Sequence, residues 1–336
     1  MSIKKTVLVV LTGVVLFVSA GMKAKTSAKT PKTSPQMKLT MQPQSEATYK
    51  VVIESGKDYS FVQPSVNKTK ERHTVGRIEM VFVQKIESVD KKGVAEAVIT
   101  VKELKYLTDS QKEATAALTF DSTAENAKSD PMFAIIGQSY KISIAPNGTV
   151  AVVDAKAVRS AIASGFAKKF ADRIFSDDEI KTRHQVLALM NADKAGKKAN
   201  KMASKKGDKW VSISASPQGM LKPKTFEKTY AITNIKLQDK ERIVTVAMKA
   251  APSSKRVEGG AKEDAGMGMF ANMFDEKDSY TGEMVINLTT GQIISYNENL
   301  KAEWFAAESN EEQKSDKGPD QLTMGFTSLY SIEKVK

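Results

Sequence analysis

The side chains able to do chemistry in this sequence are few, and their spacing is unhelpful to most reactions. Histidine occurs twice, as His73 and His184, and cysteine is absent. A serine nucleophile needs a histidine base beside it, commonly presented on a G-x-S-x-G elbow, and no such elbow occurs in the chain. Ser-x-x-Lys occurs at 65–68 and 331–334, but the partner motifs S-D-N and K-T-G are missing, and a lysine-rich chain produces this pattern freely. Carboxylates cluster at Asp177, Asp178 and Glu179 and at Glu308, Glu311 and Glu312. The first cluster suits a helix N-terminus, where negative charge complements the dipole. The second reads as a solvated loop. Neither has metal-ligand spacing, so the expectation is no catalytic residue, no metal and no cofactor.

Methionine offers one more chemistry. Met267, Met269 and Met273 carry thioethers suited to soft Cu(I), yet no histidine accompanies them. With Phe270, Phe274 and the glycines around them they read as an adaptable apolar flap. Met132-Phe133-Ala134, with Ile136, repeats that composition earlier in the chain. The expected ligand-lining set is therefore Met132, Phe133, Ile136, Val158, Ile162, Phe166, Met269, Phe270, Met273 and Phe274. It would be an apolar site for a lipid or a hydrophobic peptide.

The elements that must hold these residues are read from periodicity. Residues 49–106 alternate with period two around an Asp90-Lys91-Lys92-Gly93 turn, which predicts antiparallel strands with one wet face. Residues 130–137 crowd apolar groups behind a proline and predict a short helical turn or a buried loop. Residues 139–154 and 282–297 are two similar hairpins pivoting on Gly148 and Gly291. Between them the period changes. Val158, Ile162, Phe166, Phe170 and Ile174 recur at steps of four behind Asp154, which predicts a capped amphipathic helix. Ser176 and Glu179 form a capping box for a second helix reaching Met190. Strands resume at 206, and 321–336 alternates to close the chain.

Four features recur in the same order, 137 to 151 residues apart: Gly56 with Tyr59 and Gly207 with Trp210; strand-turn-strand at 80–101 and 230–248; the two Met-Phe-Ala triplets; and the two pivot glycines. The order argues for an internal duplication. The expected fold is α+β, mainly β: two tandem antiparallel halves, curved or half-barrel, with a central pair of amphipathic helices. The organisation is 1–20 signal peptide, 21–48 basic leader, 49–153 first β repeat, 154–205 helical middle and 206–336 second β repeat. About 290 residues at this length are enough to bury roughly three quarters of their unfolded surface.

The signal peptide rests on Lys4 and Lys5, an apolar stretch at 6–18 and the small pair Ser19 and Ala20. Cleavage near Ala20 or Ala24 would release a periplasmic or extracellular protein, since that stretch falls short of the ~20 residues that span a bilayer. Removing 1–20 removes two lysines and lowers the formal charge from +12 to +10. The leader and the lysine run at 194–209 hold much of the remainder. No aromatic residue interrupts that run, so it lacks a stacking platform for nucleic acid.

Taken together, the signal layout, the early G-x-x-Y strand, the D-x-x-G hairpin and the P-N-G hairpin before a helical middle make a recognisable series. With the Lys206-Gly207-Asp208-Lys209-Trp210 start to the second half and the terminal alternating strand, the chain resembles domain of unknown function family 6263, across 49–336. The resemblance implies export and a β-rich two-part architecture, and no activity. The expected function is a non-enzymatic envelope protein that binds lipid or another hydrophobic ligand between curved sheet and helix. The alternative is a structural or interaction protein docking on an anionic cell surface through its basic segments.

Overall fold

A computed structural model describes residues 41–110, 118–145, 149–184, 206–217, 219–221, 223–255, 273–287, 292–308 and 316–335. The alternating segments are strands, in chain order β1 (Glu46–Gln63), β2 (Lys68–Val89), β3 (Ala95–Ser110), β4 (Leu118–Asp121), β5 (Ser139–Ile144) and β6 (Val150–Asp154). Three helices follow, α1 (Lys156–Ser160), α2 (Gly165–Ile174) and α3 (Asp177–His184). The remaining strands are β7 (Lys209–Ala215), β8 (Thr225–Gln238), β9 (Glu241–Ser253), β10 (Asp275–Asn287), β11 (Gln292–Ala307) and β12 (Gln321–Val335).

All pairings are antiparallel, in the order β6-β5-β3-β2-β1-β12-β11-β10-β9-β8-β7, with β4 also on β3. The fold is mainly one large open antiparallel sheet. The last strand of the chain lies in the middle, bonded to β1 on one side and β11 on the other. On either side of it the chain meanders outward through neighbouring strands.

Local chemistry sets the turns and caps. Asp90 accepts backbone N–H bonds from Lys92 and Val94 at 2.8 Å, fixing the β2–β3 turn. Residues 130–137 form a 3-10 turn, Pro131–Ile135, whose first free N–H is taken by the Asp130 carboxylate. Asp154 accepts from Lys156 N at 2.8 Å to open α1, and Ser176 Oγ accepts from Glu179 N at 3.3 Å to open α3. Gly148 and Gly291 lie outside the described residues, as do 185–190 of the second expected helix; the strands flanking both glycines pair as hairpins.

One expectation needs correcting. The helix predicted from Asp154 through Ile174 is two helices, because Ser164 is extended and Gly165 adopts φ +85°. A left-handed residue cannot continue a right-handed helix, so the period-four register does not carry across it. Val158, Phe170 and Ile174 are buried on either side of the break, whereas Phe166 is 58% exposed.

One face of the sheet carries the core, and the uninterrupted β1 register identifies it. Tyr49, Val51 and Ile53 stand opposite Phe82, Met80 and Ile78, and Val51 and Ile53 stand opposite Ile332 and Tyr330. Over β2, β3 and β5 this face is covered by the helices: Tyr106 meets Phe170 at 3.9 Å between ring centroids and Phe82 meets His184 at 5.0 Å. Over the later strands it fills itself. Phe226, Tyr280, Leu300, Trp304 and Phe326 are all buried there, and Trp210 stacks on Tyr230. The β7–β8 loop crosses to the centre: Gly219 lies against the Lys57 and Phe326 side chains, although five strands separate β7 from β1. The sheet is therefore strongly curved there, and the loop closes over its core face.

Candidate functional site

Eight of the ten expected lining residues are described, and they take different environments. Val158 is fully buried, Ile162 and Met132 nearly so, and Phe133 and Ile136 pack against the same core. These five are interior packing between sheet and helices. Phe274 packs on the core at the start of β10, but Met273 beside it is 68% exposed, as Phe166 is on α2. Met269 and Phe270 lie outside the described residues.

Sequence reasoning passed over a buried polar seam on the core face. Glu298 on β11 accepts three bonds: from Lys228 Nζ at 2.5 Å, and from the Tyr280 and Tyr296 hydroxyls. Lys228 is 7% exposed, and its ammonium also sits 4.7 Å from the Tyr280 ring. Register explains the geometry. Gly282 lies directly across from Glu298, and a Cβ there would approach Asn297 O at 2.5 Å, so the close approach of the two backbones beside the network requires glycine. The Tyr230 hydroxyl is buried beside Tyr296 without completing a hydrogen bond of normal geometry. Burial first, then the Glu298 charge, pushes the Tyr230, Tyr280 and Tyr296 hydroxyls far above the usual tyrosine range.

Tyr330, opposite Glu298 on β12, continues the seam to the helices by donating to Arg183 O at 2.6 Å. Arg183 is 1% exposed; it donates to Ile174 O and Tyr140 OH, its guanidinium faces the Phe175 ring at 5.3 Å, and its Nε is unpaired. His184 Nε2 lies 2.7 Å from Tyr140 OH. Burial, reinforced by Arg183, holds the His184 pKa well below its ordinary value, so the ring stays neutral. Chemically the seam is a closed network: Glu298 has three of its roughly four lone-pair positions filled, and its donors are buried. It ties the two ends of the sheet to the helix layer.

The sheet opens elsewhere. Beyond the buried Phe326, toward the β1–β2 turn, the core face of β1 and β12 is half-buried: it presents Tyr59 and Phe61 of β1 opposite Met324 and Leu322 of β12, with the buried Trp304 and half-buried Ala306 of β11 beyond them. The row meets the buried core at Met324. Trp304, 1% exposed, has an indole N–H with no hydrogen-bond partner. The signal for this strip was in the sequence, as Tyr-x-Phe and Leu-x-Met alternations, but which strands would adjoin was not. A second opening of about 500 Å³, lined by Val152, Asp154, Lys156, Arg159, Lys168 and Asp177, is less suited to a ligand. Arg159 is held by Asp177 and Phe175 O, and Lys168 by Asp172.

Among the described residues, no group of three His, Cys, Asp or Glu is placed to hold a metal, and no helix is long and apolar enough to cross a membrane. No known family matches the sequence, and no curated protein is similar to it. Solved structures that align with the chain include two at low scores. One, described as lipid–protein interactions in lipovitellin, aligns with 88% of this chain at 11% identity and a TM-score of 0.43. This chain spans only 25% of that one. The other, a DUF1329 family protein from Desulfovibrio piger, aligns with 83% of this chain and 84% of its own at 7% identity and a TM-score of 0.15. At these scores neither likeness bears on activity.

Proposed function

We propose that this is an exported, non-enzymatic envelope protein that holds a hydrophobic ligand on the open part of its core face. The observation that carries this reading is the half-buried strip of Tyr59, Phe61, Leu322 and Met324, which meets the packed interior at Met324. Apolar area kept partly wet has a free energy cost of about 25 cal/mol per Å², which an apolar ligand removes. The unpaired Trp304 indole on the same row favours a ligand with an acceptor oxygen, because buried donors are normally satisfied. A fatty acyl chain bearing a carboxylate or ester has both properties. This reading places the ligand on the central strands rather than on the helix side, where Val158, Ile162 and Met132 are themselves buried.

The architecture is in keeping with a duplicated origin. β1-β2-β3-β5-β6 and β7-β8-β9-β10-β11 are two five-strand meanders with matching neighbours; Tyr59 and Trp210 fall on β1 and β7, and the two strand-turn-strand segments on β2–β3 and β8–β9. On this reading β12 is the additional strand that joins the halves.

Native mass spectrometry and lipid extraction of purified protein should recover bound lipid, and a brominated fatty acid should quench Trp304 fluorescence. Tyr59→Asp with Met324→Asp should weaken that binding by about tenfold or more, about 1.4 kcal/mol, while the fold persists by circular dichroism. Repeated recovery of empty protein, with no quenching, would overturn the reading.

A further inference from the structure

The β1–β2 hairpin joins strands of 18 and 22 residues, and at its end charge is sorted by face. Pairing with β3 stops at Thr74, so among the described residues 68–73 pair with β1 alone. Register places Lys57, Tyr59 and Phe61 of β1 on the core face with Lys68, Lys70 and Arg72 of β2. Asp58, Glu71 and His73 point the other way, where His73 Nδ1 lies 2.5 Å from Asp58 Oδ1. All four cations of residues 57–72 thus share one face, and both acids take the opposite one. The four cations are exposed, and among the described residues none is in an ion pair. The tip is the 3-10 turn Pro64–Val66, and it presents Val66 at 64% exposure.

We propose that this end of the hairpin docks on an anionic phospholipid bilayer, with Val66 entering the headgroup–acyl boundary and Lys68, Lys70 and Arg72 meeting lipid phosphates. Charge complementarity selects an anionic surface, since cations held near one each gain attraction that falls off within a Debye length. The exposed valine and the adjoining Tyr59 and Phe61 select a bilayer over a soluble polyanion, because only a bilayer offers hydrocarbon to cover them. Docked in this way, the ligand strip opens at the membrane surface, so an acyl chain need not cross water. The purpose of the contact rests on the ligand reading above; its binding energy does not.

Flotation of ligand-free protein with phosphatidylcholine vesicles, with and without phosphatidylglycerol, tests the proposal. Binding should require phosphatidylglycerol and fall steeply with salt. K68Q/K70Q should weaken it roughly 25-fold, about fivefold for each cation removed. K236E/K240E, at the β8–β9 turn of the opposite end, should leave it unchanged. V66S, which adds no charge, should weaken it even at low salt, whereas a soluble polyanion site would be indifferent to that change. Absence of vesicle binding at low salt, equal loss in K236E/K240E, or full binding by V66S would each overturn the proposal. Native mass spectrometry of the same variants reads the ligand strip separately, so either idea can fail alone.

Discussion

Glu298 is the common acceptor for one buried ammonium and two buried hydroxyls, so its charge matters more than its volume. Glu298→Gln keeps the shape but leaves Lys228 as a buried cation without a counter-charge. The expected cost is about 3–5 kcal/mol in urea unfolding, the range for breaking a buried pair from one side. The double change Lys228→Met with Glu298→Leu should recover most of that loss, because apolar replacement of the whole pair removes the desolvation penalty along with the attraction. Equal destabilisation by the single and double variants would show that the network is held by something other than this pair. None of this was visible in the one-dimensional pattern: Glu298 reads there as an ordinary polar residue of an alternating strand, and Lys228 as one lysine among many.

At the scale of elements, the helix layer shows how far periodicity reaches and where it stops. The step-of-four stripe located the apolar positions correctly at Val158, Ile162, Phe170 and Ile174 and misplaced Phe166, since the backbone reverses hand at Gly165 between them. A glycine in a helical pattern is tolerated or is a break, and sequence alone does not choose. The two phenylalanines provide the test of face: Phe170→Ala should cost about 3–5 kcal/mol, as buried aromatic truncations do, and Phe166→Ala within about 0.5 kcal/mol, as exposed changes do. Chemical denaturation of both variants measures the difference directly, and similar costs would contradict the assigned faces. The hairpin turn at Asp90 and the helix start at Ser176 were legible because each is satisfied within four residues of chain, whereas the α1 N-cap is Ala155, one residue past the expected Asp154, which accepts from Lys156 N.

For the whole molecule, buried titratable groups set the pH range of stability. His184 stays neutral in the fold but binds a proton when unfolded, near its ordinary 6.5. The unfolded state therefore holds more protons below that pH, and stability should fall as pH drops through 6.5, by about 1.4 kcal/mol per unit from this group. Tyr140, Tyr230, Tyr280, Tyr296 and Tyr330 act at the other end. Burial raises all five above their ordinary 10.0, so the folded state keeps protons that the unfolded chain releases, and stability should be lost as pH climbs past 10. Urea midpoints measured from pH 5 to 11 check both limbs, and His184→Gln should flatten the acid limb alone.

By itself the sequence determined the mainly β character, most strand positions and the short-range turns and caps, because alternation and capping are written within a few residues. It also alternated cations at Lys68, Lys70 and Arg72 with the acid Glu71, although that alternation means nothing until a partner strand gives it a face. Only the tertiary structure decided that the last strand lies between β1 and β11, so that Leu322 and Met324 adjoin Tyr59 and Phe61. The same holds for Arg183 and His184 meeting Tyr330 and Tyr140, and for Lys228 meeting Glu298 across 70 residues. Such pairings depend on closing long loops, whose cost varies only slowly with length. No local pattern selects among them, and the burial they achieve together does.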